Sequence, residues 1–166
     1  MKKFTLFPDP GKLPDKPEPK AGSRIIIKLS GFPPYKSGRS SIRNPKHKHY
    51  ERFIKLRKSA ISKMKGRKWY DGPVEMNIDI HASQLEKNIG LNAYVGGIMD
   101  TLDGSHGQYF TYLPVIYQDD SQVFRGRHRF IESEKIYYEL KIVFHKYKEI
   151  TETSFVYHSP VHMQEI

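Results

Sequence analysis

Two adjacent aspartates, Asp119 and Asp120, stand in the run Tyr-Gln-Asp-Asp-Ser-Gln-Val at 117–123 of a strongly basic chain. Neighbouring carboxylates repel each other and are most stable where a cation, usually a metal ion, lies between or beside them. The 166 residues include 28 Lys and Arg against 18 Asp and Glu, which gives a formal charge of +10. Acidic metal ligands in a basic protein favour an enzyme that holds a polyanion with its cations and cleaves it with a metal ion.

The positive charge is concentrated between Lys36 and Lys68, where 13 Lys or Arg residues accompany a single acid, Glu51. A region of one sign is typical of a surface that contacts a phosphate backbone, although a solvated basic surface is the alternative. Aromatic and histidine side chains lie among these bases and can stack or form hydrogen bonds. The predicted nucleic-acid contacts are Lys36, Arg39, Arg43, Lys46, Lys48, Arg52, Lys55, Lys58, Arg67 and Lys68.

The composition indicates one small domain with flanking tails, because 166 residues suffice for a hydrophobic core. Cysteine is absent, which excludes disulfides and thiolate metal sites and fits a reducing cytoplasm. The chain has no stretch of 18 apolar residues, and its N-terminus has no apolar signal core. We therefore expect a cytoplasmic protein with no membrane partner.

The hydrophobic pattern predicts the order strand, helix, strand, helix, strand, strand. The predicted strands are 24–29, 74–82, 122–130 and 135–145, and the predicted helices are 49–65 and 92–102. The first strand is expected to be buried on much of both faces because its apolar run is continuous. Asn92 is expected to cap the second helix. The pattern favours an α/β fold of the α+β kind, a single small domain with a mixed β-sheet and two main helices.

Three segments lie outside these elements. Residues 1–22 hold five prolines and are predicted to be an extended Pro/Lys-rich arm. Residues 31–48 are predicted to be a flexible basic flap that orders on binding. Residues 148–166 are predicted to be a loose C-terminal tail, which leaves 23–147 as the folded domain.

Two smaller features of the sequence also carry expectations. His47 and His49 are two residues apart in the predicted flap, and we expect them to contact phosphate or solvent, since neither cysteine nor a third histidine accompanies them. Gly96 and Gly97 lie inside the second predicted helix, where glycine is unfavourable. They indicate a close approach there by a partner helix or by a nucleic-acid backbone.

The region around the acidic pair resembles the RusA family. A helix that ends in Ile-Met-Asp-Thr-Leu-Asp-Gly at 98–104 is followed by a strand that opens with Asp-Asp-Ser-Gln-Val at 119–123. Members of this family are Holliday junction resolvases and related endodeoxyribonucleases, common in phages and prophages. The resemblance covers roughly residues 74–145. It implies a homodimer that binds branched or duplex DNA and hydrolyses phosphodiesters with Mg²⁺, or with Mn²⁺ in its place, in DNA recombination and repair.

The resemblance also implies which residues form the site. Asp120 matches the second aspartate of the family's Asp-Asp-x-Gln run, and Asp100 matches an aspartate late in the helix. With Asp119 added from the adjacent pair, the expected catalytic residues are Asp120, Asp119 and Asp100. The expected metal ligands are Asp120, Asp119 and Asn92, the last through a neutral oxygen.

The chain departs from the family's motif ahead of the second helix. The family usually has Asp-x-Asp-Asn there and a lysine one turn into the helix, whereas this chain has Gly90 and Asn92, with Gly96 at the lysine position. Glu86 and Lys87, a few residues upstream, are possible replacements. Three alternatives follow: a nuclease with an altered site, a protein that binds branched DNA without cutting it, and a basic module that binds RNA or a protein.

Overall fold

The structure, a computed structural model, describes residues 14–38, 40–103, 113–147 and 154–158. The helices are α1, Tyr50–Met64, and α2, Leu91–Leu102. The strands are β1, Arg24–Ser30, β2, Val74–Ala82, β3, Val123–Glu132, β4, Tyr137–Phe144, and β5, Ser154–His158. One 3₁₀ turn, Asp120–Gln122, directly precedes β3. The predicted order of elements is confirmed, with one strand added near the C-terminal end.

The strands form one mixed sheet in the order β1-β4-β2-β3-β5. β4 is antiparallel to its neighbours β1 and β2, whereas β3 is parallel to β2 and β5. Parallel neighbours require a crossover connection, and α2 lies in the connection between β2 and β3. The α+β fold with a mixed sheet and two helices, predicted from the sequence, is confirmed. The loose tail was a wrong prediction for residues 154–158, because their backbone pairs with β3 as β5.

Both helices pack against one face of the sheet and share a single hydrophobic core with it. β2 alternates buried and half-buried side chains along its nine residues, so the predicted half-exposed strand is confirmed. The core joins this buried face to apolar residues of both helices. These helix residues are Leu56, Ala60, Met64, Val95, Ile98 and Leu102.

The opposite face of the sheet carries charged side chains, and no helix of the described residues covers it. Arg125 lies 2.7 Å from Glu75, and Arg129 lies 2.7 Å from Asp79, in each case between the neighbouring strands β3 and β2. Arg127 is exposed between these two pairs. The predicted alternation that puts the three arginines on one face is confirmed, and the acids of β2 neutralise two of them.

β1 lies at the edge of the sheet, and the prediction that it is buried on much of both faces was wrong. Within this strand only Ile27 is fully buried. Ile26 remains 41% exposed on the open face, opposite Lys141 of β4. A continuous apolar run does not reveal whether a strand has neighbours on both sides, because that depends on pairing with distant residues.

The loop 31–48, apart from the undescribed Arg39, packs onto the domain instead of extending as a free flap. Tyr35 and Ile42 are buried. A Cβ atom added to Gly97 would lie only 1.9 Å from the backbone carbonyl oxygen of Pro34. The close approach predicted in the middle of α2 is therefore made at Gly97, by this loop and not by a helix.

The described part of the N-terminal arm, residues 14–22, lies along the end of α1. The backbone N–H groups of Asp15 and Lys16 both donate to the carbonyl of Gly66 at 3.1 Å. The N–H of Lys68 donates in return to the carbonyl of Lys16 at 3.0 Å. Residues 1–13 of the predicted arm lie outside the described part of the chain.

Candidate metal centre

Three aspartates converge at the C-terminal end of α2. Asp100, Asp103 and Asp120 each offer a carboxylate oxygen, and these oxygens lie within 4.8 Å of one another. Asp100 and Asp103 are three residues apart, so the helical period places them on the same side of the last turn. Asp120 comes from the 3₁₀ turn ahead of β3. Three hard oxygen donors at this spacing can hold a metal ion, and we call them the Asp cluster.

The three carboxylates of the Asp cluster differ in their exposure to solvent. Asp103 is only 3% exposed, Asp100 is half-buried and Asp120 is exposed. Burial raises the pKa of Asp103 well above its usual range, and the hydrogen bond and negative charge of Asp120 act in the same direction. Because a cation favours the ionised form of nearby carboxylates, a metal ion at this place would relieve the repulsion among them.

A buried arginine from the loop 31–48 contacts the Asp cluster. The Nη2 atom of Arg43 lies 2.9 Å from Oδ1 of Asp103 and also donates to the backbone carbonyl of Asp100. Arg43 is 6% exposed, so this ion pair is shielded from water and from dissolved salt. Arg43 was predicted to contact a nucleic-acid backbone, but the structure turns it inward, where it neutralises part of the Asp cluster.

Tyr117 lies beneath the Asp cluster and connects it to α2. Its hydroxyl donates to the carbonyl of Met99 at 3.2 Å and lies 3.4 Å from Oδ1 of Asp120. Burial, together with the charge of the nearby carboxylates, raises the pKa of Tyr117 further above its ordinary value. The hydroxyl therefore stays protonated and able to donate. No pattern in the sequence singles out this tyrosine, which looks like one more apolar residue of its run.

The two aspartates of the sequence motif have different roles. The side chain of Asp119 accepts a hydrogen bond from the backbone N–H of Ser121 at 2.8 Å, and Oε1 of Gln122 accepts one from the backbone N–H of Asp119 at 3.1 Å. This reciprocal arrangement is a capping box. Asp119 is not one of the three residues of the Asp cluster, so the expectation that the adjacent pair jointly binds the metal stays a prediction for Asp119, whose observed role is to cap the turn.

Gln122 fixes the turn that presents Asp120. Its Nε2 atom donates to the carbonyl of Tyr70 at 2.7 Å and to the carbonyl of Gly72 at 2.9 Å. In the Asp-Asp-Ser-Gln run, the first aspartate and the glutamine thus build the turn, and the second aspartate is left to point at α2. The spacing of the motif is explained by this division of roles.

Asn92 lies at the other end of α2 from the Asp cluster. The helix begins at Leu91 with Gly90 as its N-cap, so the prediction that Asn92 caps it was wrong. Asp100 stands eight residues further along the same helix, which corresponds to about 12 Å at the rise of an α-helix. Asn92 therefore cannot share a single ion with the Asp cluster, and its assignment as a metal ligand was wrong.

Glu86, considered as a replacement for the missing carboxylates, is engaged elsewhere. Its two carboxylate oxygens lie 2.6 and 3.1 Å from the guanidinium nitrogens of Arg52. Oε1 also accepts a hydrogen bond from the hydroxyl of Tyr94 at 3.1 Å. Glu86 is thus part of a polar network that joins α1 to α2, and it is not a member of the Asp cluster.

The ten predicted nucleic-acid contacts fall into four groups. Arg43 is buried, Arg52 is half-buried in its pair with Glu86, and Arg39 lies outside the described residues. The remaining residues are exposed and lie on the loop, on α1 and on the segment that follows α1. These exposed residues are Lys36, Lys46, Lys48, Lys55, Lys58, Arg67 and Lys68.

His47 and His49 are buried in the loop 31–48, so the expectation that they contact phosphate or solvent was wrong. The ring nitrogens of His47 lie 3.2 Å from the backbone nitrogen of Ser37 and 3.0 Å from that of His49. The ring of His49 packs against Tyr35, with 4.2 Å between the ring centres. Burial, reinforced by the charge of Arg52, lowers the pKa of His49 to about 4. Both histidines act as neutral groups of the loop's interior.

Neither a protein-family model nor a curated protein matches this chain. No helix in the described ranges has the length and the apolar character that crossing a bilayer requires. The molecule is a small α+β domain with an acidic cluster at the end of α2 and exposed basic residues on the loop 31–48, on α1 and on the segment after α1.

Proposed function

We propose that this protein is a DNA-binding, Mg²⁺-dependent, structure-specific endodeoxyribonuclease that resembles the RusA resolvases. The observation that carries the proposal is the convergence of Asp100, Asp103 and Asp120 within 4.8 Å in a chain of net charge +10. Carboxylate oxygens are the ligands that Mg²⁺ prefers, and Mn²⁺ accepts the same donors. A bound ion of this kind activates water and stabilises negative charge at a phosphate.

The residues around the Asp cluster hold its carboxylates in place. Asp100 and Asp103 belong to the end of a helix that is anchored in the core. Asp120 stands on a turn that Gln122 ties to the 70–72 segment, and the hydroxyl of Tyr117 lies beside its carboxylate. Positions fixed in this way favour a preorganised metal site. Because Asp120 is exposed, a phosphate can approach the cluster from that side.

Arg43 is our candidate for the cation that the family places in the helix as a lysine. Gly96 occupies that position in this chain and supplies no charge. The guanidinium of Arg43 already reaches Asp103, so it would lie beside a phosphate bound at the cluster. An arginine can donate two parallel hydrogen bonds to phosphate oxygens, which suits it to this role.

The test is cleavage of a synthetic four-way junction with added Mg²⁺ by the wild type, Asp120→Asn and Asp119→Asn. Asparagine is as good a cap as aspartate, so Asp119→Asn keeps the turn and removes a charge next to the Asp cluster. We expect Asp120→Asn to abolish cleavage and Asp119→Asn to retain most of it. Binding of the junction by the wild type without any cleavage over a wide range of protein concentration would refute the nuclease.

A second candidate function is binding of branched DNA without cleavage. Two observations favour it: Arg43 already neutralises Asp103, and the positions ahead of α2 that carry carboxylates in the family are Gly90 and Asn92 here. In that case Asp120→Asn should bind junctions as well as the wild type or slightly better, because it removes negative charge near phosphates. Divalent-ion-dependent cleavage that is lost in Asp120→Asn would exclude this candidate.

The RusA resemblance also implies self-association. A homodimer would present two Asp clusters to the two strands that a junction resolvase cuts. Sedimentation equilibrium with and without a junction measures the stoichiometry. A monomer that stays a monomer on the junction would count against the resolvase and leave a simpler nuclease or binding protein.

A further inference from the structure

A cleft with a volume of about 610 Å³ lies between the N-terminal arm, the start of β1 and the end of α1. Cavities that bind ligands in proteins usually enclose about 300 to 1,000 Å³. The wall formed by the arm is fixed by backbone hydrogen bonds between Lys16 and the residues Gly66 and Lys68. The shape of the cleft is therefore maintained by backbone hydrogen bonds of the fold.

The lining of this cleft is strongly cationic. Five of its residues are basic and come from three separate segments: Lys16, Lys20, Arg24, Lys63 and Arg67. Glu18 is the single acid among the residues that line it, and its carboxylate accepts a hydrogen bond from the backbone N–H of Asp71 at 2.8 Å. The lining as a whole therefore carries a large excess of positive charge.

None of these five cations forms an ion pair within the described part of the chain. Lys63 lies in the last turn of α1, where a positive charge also favours the helix dipole. That reason does not apply to Lys16, Lys20 or Arg24, which belong to the arm and to β1. Charges of one sign that converge in a concave space raise the local potential and attract the opposite charge. The cleft is suited to an anion.

A short backbone segment leads from this cleft to the Asp cluster. Arg67, in the wall of the cleft, forms a β-bridge with Lys16, and Tyr70 forms a β-bridge with Tyr117, which lies beneath Asp120. Three residues of extended chain span about 10 Å. The phosphates of one DNA strand are about 3.4 Å apart along the helix axis, so a few nucleotides bridge this distance.

Aromatic side chains accompany this path. Trp69 lies within the 67–70 segment, with the ammonium of Lys68 5.3 Å from its ring centre. Tyr147, three residues beyond Phe144 in the lining of the cleft, is 80% exposed. Proteins that bind single strands combine a basic groove with aromatic rings on which the bases stack.

We propose that the cleft binds the phosphate backbone of a nucleic-acid strand, which continues along 67–70 toward the Asp cluster. The cleft is a second binding site, separate from the carboxylates, and of its five cations only Arg67 is among the nucleic-acid contacts predicted from the sequence. Only the destination of the strand, the Asp cluster, rests on the proposed function. The capture of phosphates in the cleft does not require a metal ion.

The test is the affinity of the full chain for a fluorescein-labelled oligo(dT) strand in EDTA, measured by fluorescence anisotropy over a series of salt concentrations. The cleft variant is Arg24→Gln with Arg67→Gln. The matched control is Arg127→Gln with Lys141→Gln, which removes two charges from the open face of the sheet. We expect the cleft variant to weaken binding about tenfold or more and to lower the slope of log affinity against log salt by about 1.4. The control should change affinity less than about twofold.

An equal loss of affinity in the control would show that only net charge matters, and it would overturn the inference. Inorganic pyrophosphate and unlabelled oligo(dT) are compared as competitors at equal concentrations of phosphate groups. If pyrophosphate displaces the labelled strand at the lower concentration, the inference is also overturned, because the ligand would then be a small phosphate compound. Circular dichroism melting curves verify that the variants fold. Loss of strand binding in the cleft variant, with no junction cleavage by the wild type, would support the cleft and refute only the nuclease.

Discussion

The guanidinium of Arg43 and the carboxylate of Asp103 lie 2.9 Å apart, although the two residues are separated by 60 positions in the chain. Both side chains are almost completely buried, at 8% and 3% exposure. The pair fastens the loop 31–48 to the end of α2 and places a cation beside the Asp cluster. Its removal should therefore affect both the stability of the domain and the affinity of the cluster for metal ions.

Arg43→Met should lower the free energy of unfolding by about 3 kcal/mol, because it removes the buried hydrogen bonds that the guanidinium donates to Asp103 and to the carbonyl of Asp100. Urea denaturation in EDTA measures the change. Added Mn²⁺ should restore more stability to the variant than to the wild type, since the metal would replace the lost cation. Arg127→Met, on the open face, is the control and should change stability by less than about 0.5 kcal/mol. A loss in Arg43→Met as small as that of the control would contradict the role of the pair.

Asp119→Ala should lower the free energy of unfolding by about 1 kcal/mol, because it removes the side-chain cap of the 3₁₀ turn. Asp119→Asn should be nearly neutral, since asparagine accepts the same hydrogen bond from Ser121. Thermal and urea denaturation of the two variants give the comparison. If Asp119→Asn destabilises the protein as much as Asp119→Ala, the charge of Asp119, and not its hydrogen bond to Ser121, stabilises the fold.

Gly96→Ala and Gly97→Ala should have opposite effects on stability. A Cβ atom at Gly97 would lie 1.9 Å from the carbonyl oxygen of Pro34, whereas no atom lies within 4 Å of one at Gly96. Gly96→Ala should raise the free energy of unfolding by up to about 1 kcal/mol, through the higher helix propensity of alanine. Gly97→Ala should lower it by several times that amount, because the loop must move. Equal effects in denaturation experiments would mean that the loop does not pack on α2.

The contribution of His49 to stability should be lost as the pH falls from about 6.5 toward 4, the usual and the folded-state pKa values of this group. Between these values the unfolded chain binds more protons at His49 than the folded one, so this part of the free energy of unfolding decreases as the pH falls. Burial is the main cause, Arg52 adds to it and Glu86 opposes it. The difference between the usual and the folded-state pKa of His49 corresponds to about 3 kcal/mol of unfolding free energy. The pKa of His47 shifts in the same direction. The raised pKa of Asp103 acts in the opposite direction over the same range, so the His49 contribution is the difference between the wild type and a His49 variant.

Urea denaturation at neutral pH and at about pH 5 tests this dependence. His49→Gln should remove the His49 contribution, so that the variant loses less stability than the wild type, or gains more, between the two pH values, since glutamine does not titrate. His81→Gln is the matched control, because its ring is only half-buried and stacks on Tyr137 at the surface. A pH dependence that His49→Gln leaves as steep as in the wild type would assign the effect to other groups.

The local patterns of the sequence predicted most of the fold. β2 was predicted at the residues where it lies, because strict alternation of apolar and polar side chains is a property of the strand alone. The edge position of β1 depends on which strands pair, and no local pattern contains that information. The pairing of β5 could not be predicted for the same reason, since its partner β3 lies more than twenty residues away.

The candidate site was predicted only in part. Asp100 and Asp120 were found, while Asp103 was overlooked, although its spacing of three residues from Asp100 at a helix end indicates a shared face. The Asp-x-x-Gln spacing of Asp119 and Gln122 is the sequence pattern of a capping box and could have assigned Asp119 to the turn. The contact of Arg43 with Asp103 could not be predicted, because it forms only when a distant loop folds onto α2.

The measurement that tests the central claim most directly is a crystal soaked in Mn²⁺, with the ion located by its anomalous scattering. We predict an ion coordinated by carboxylate oxygens of Asp100, Asp103 and Asp120, with Arg43 displaced from its present contact with Asp103. An empty Asp cluster at high Mn²⁺ concentration, with Arg43 unchanged, would contradict the account.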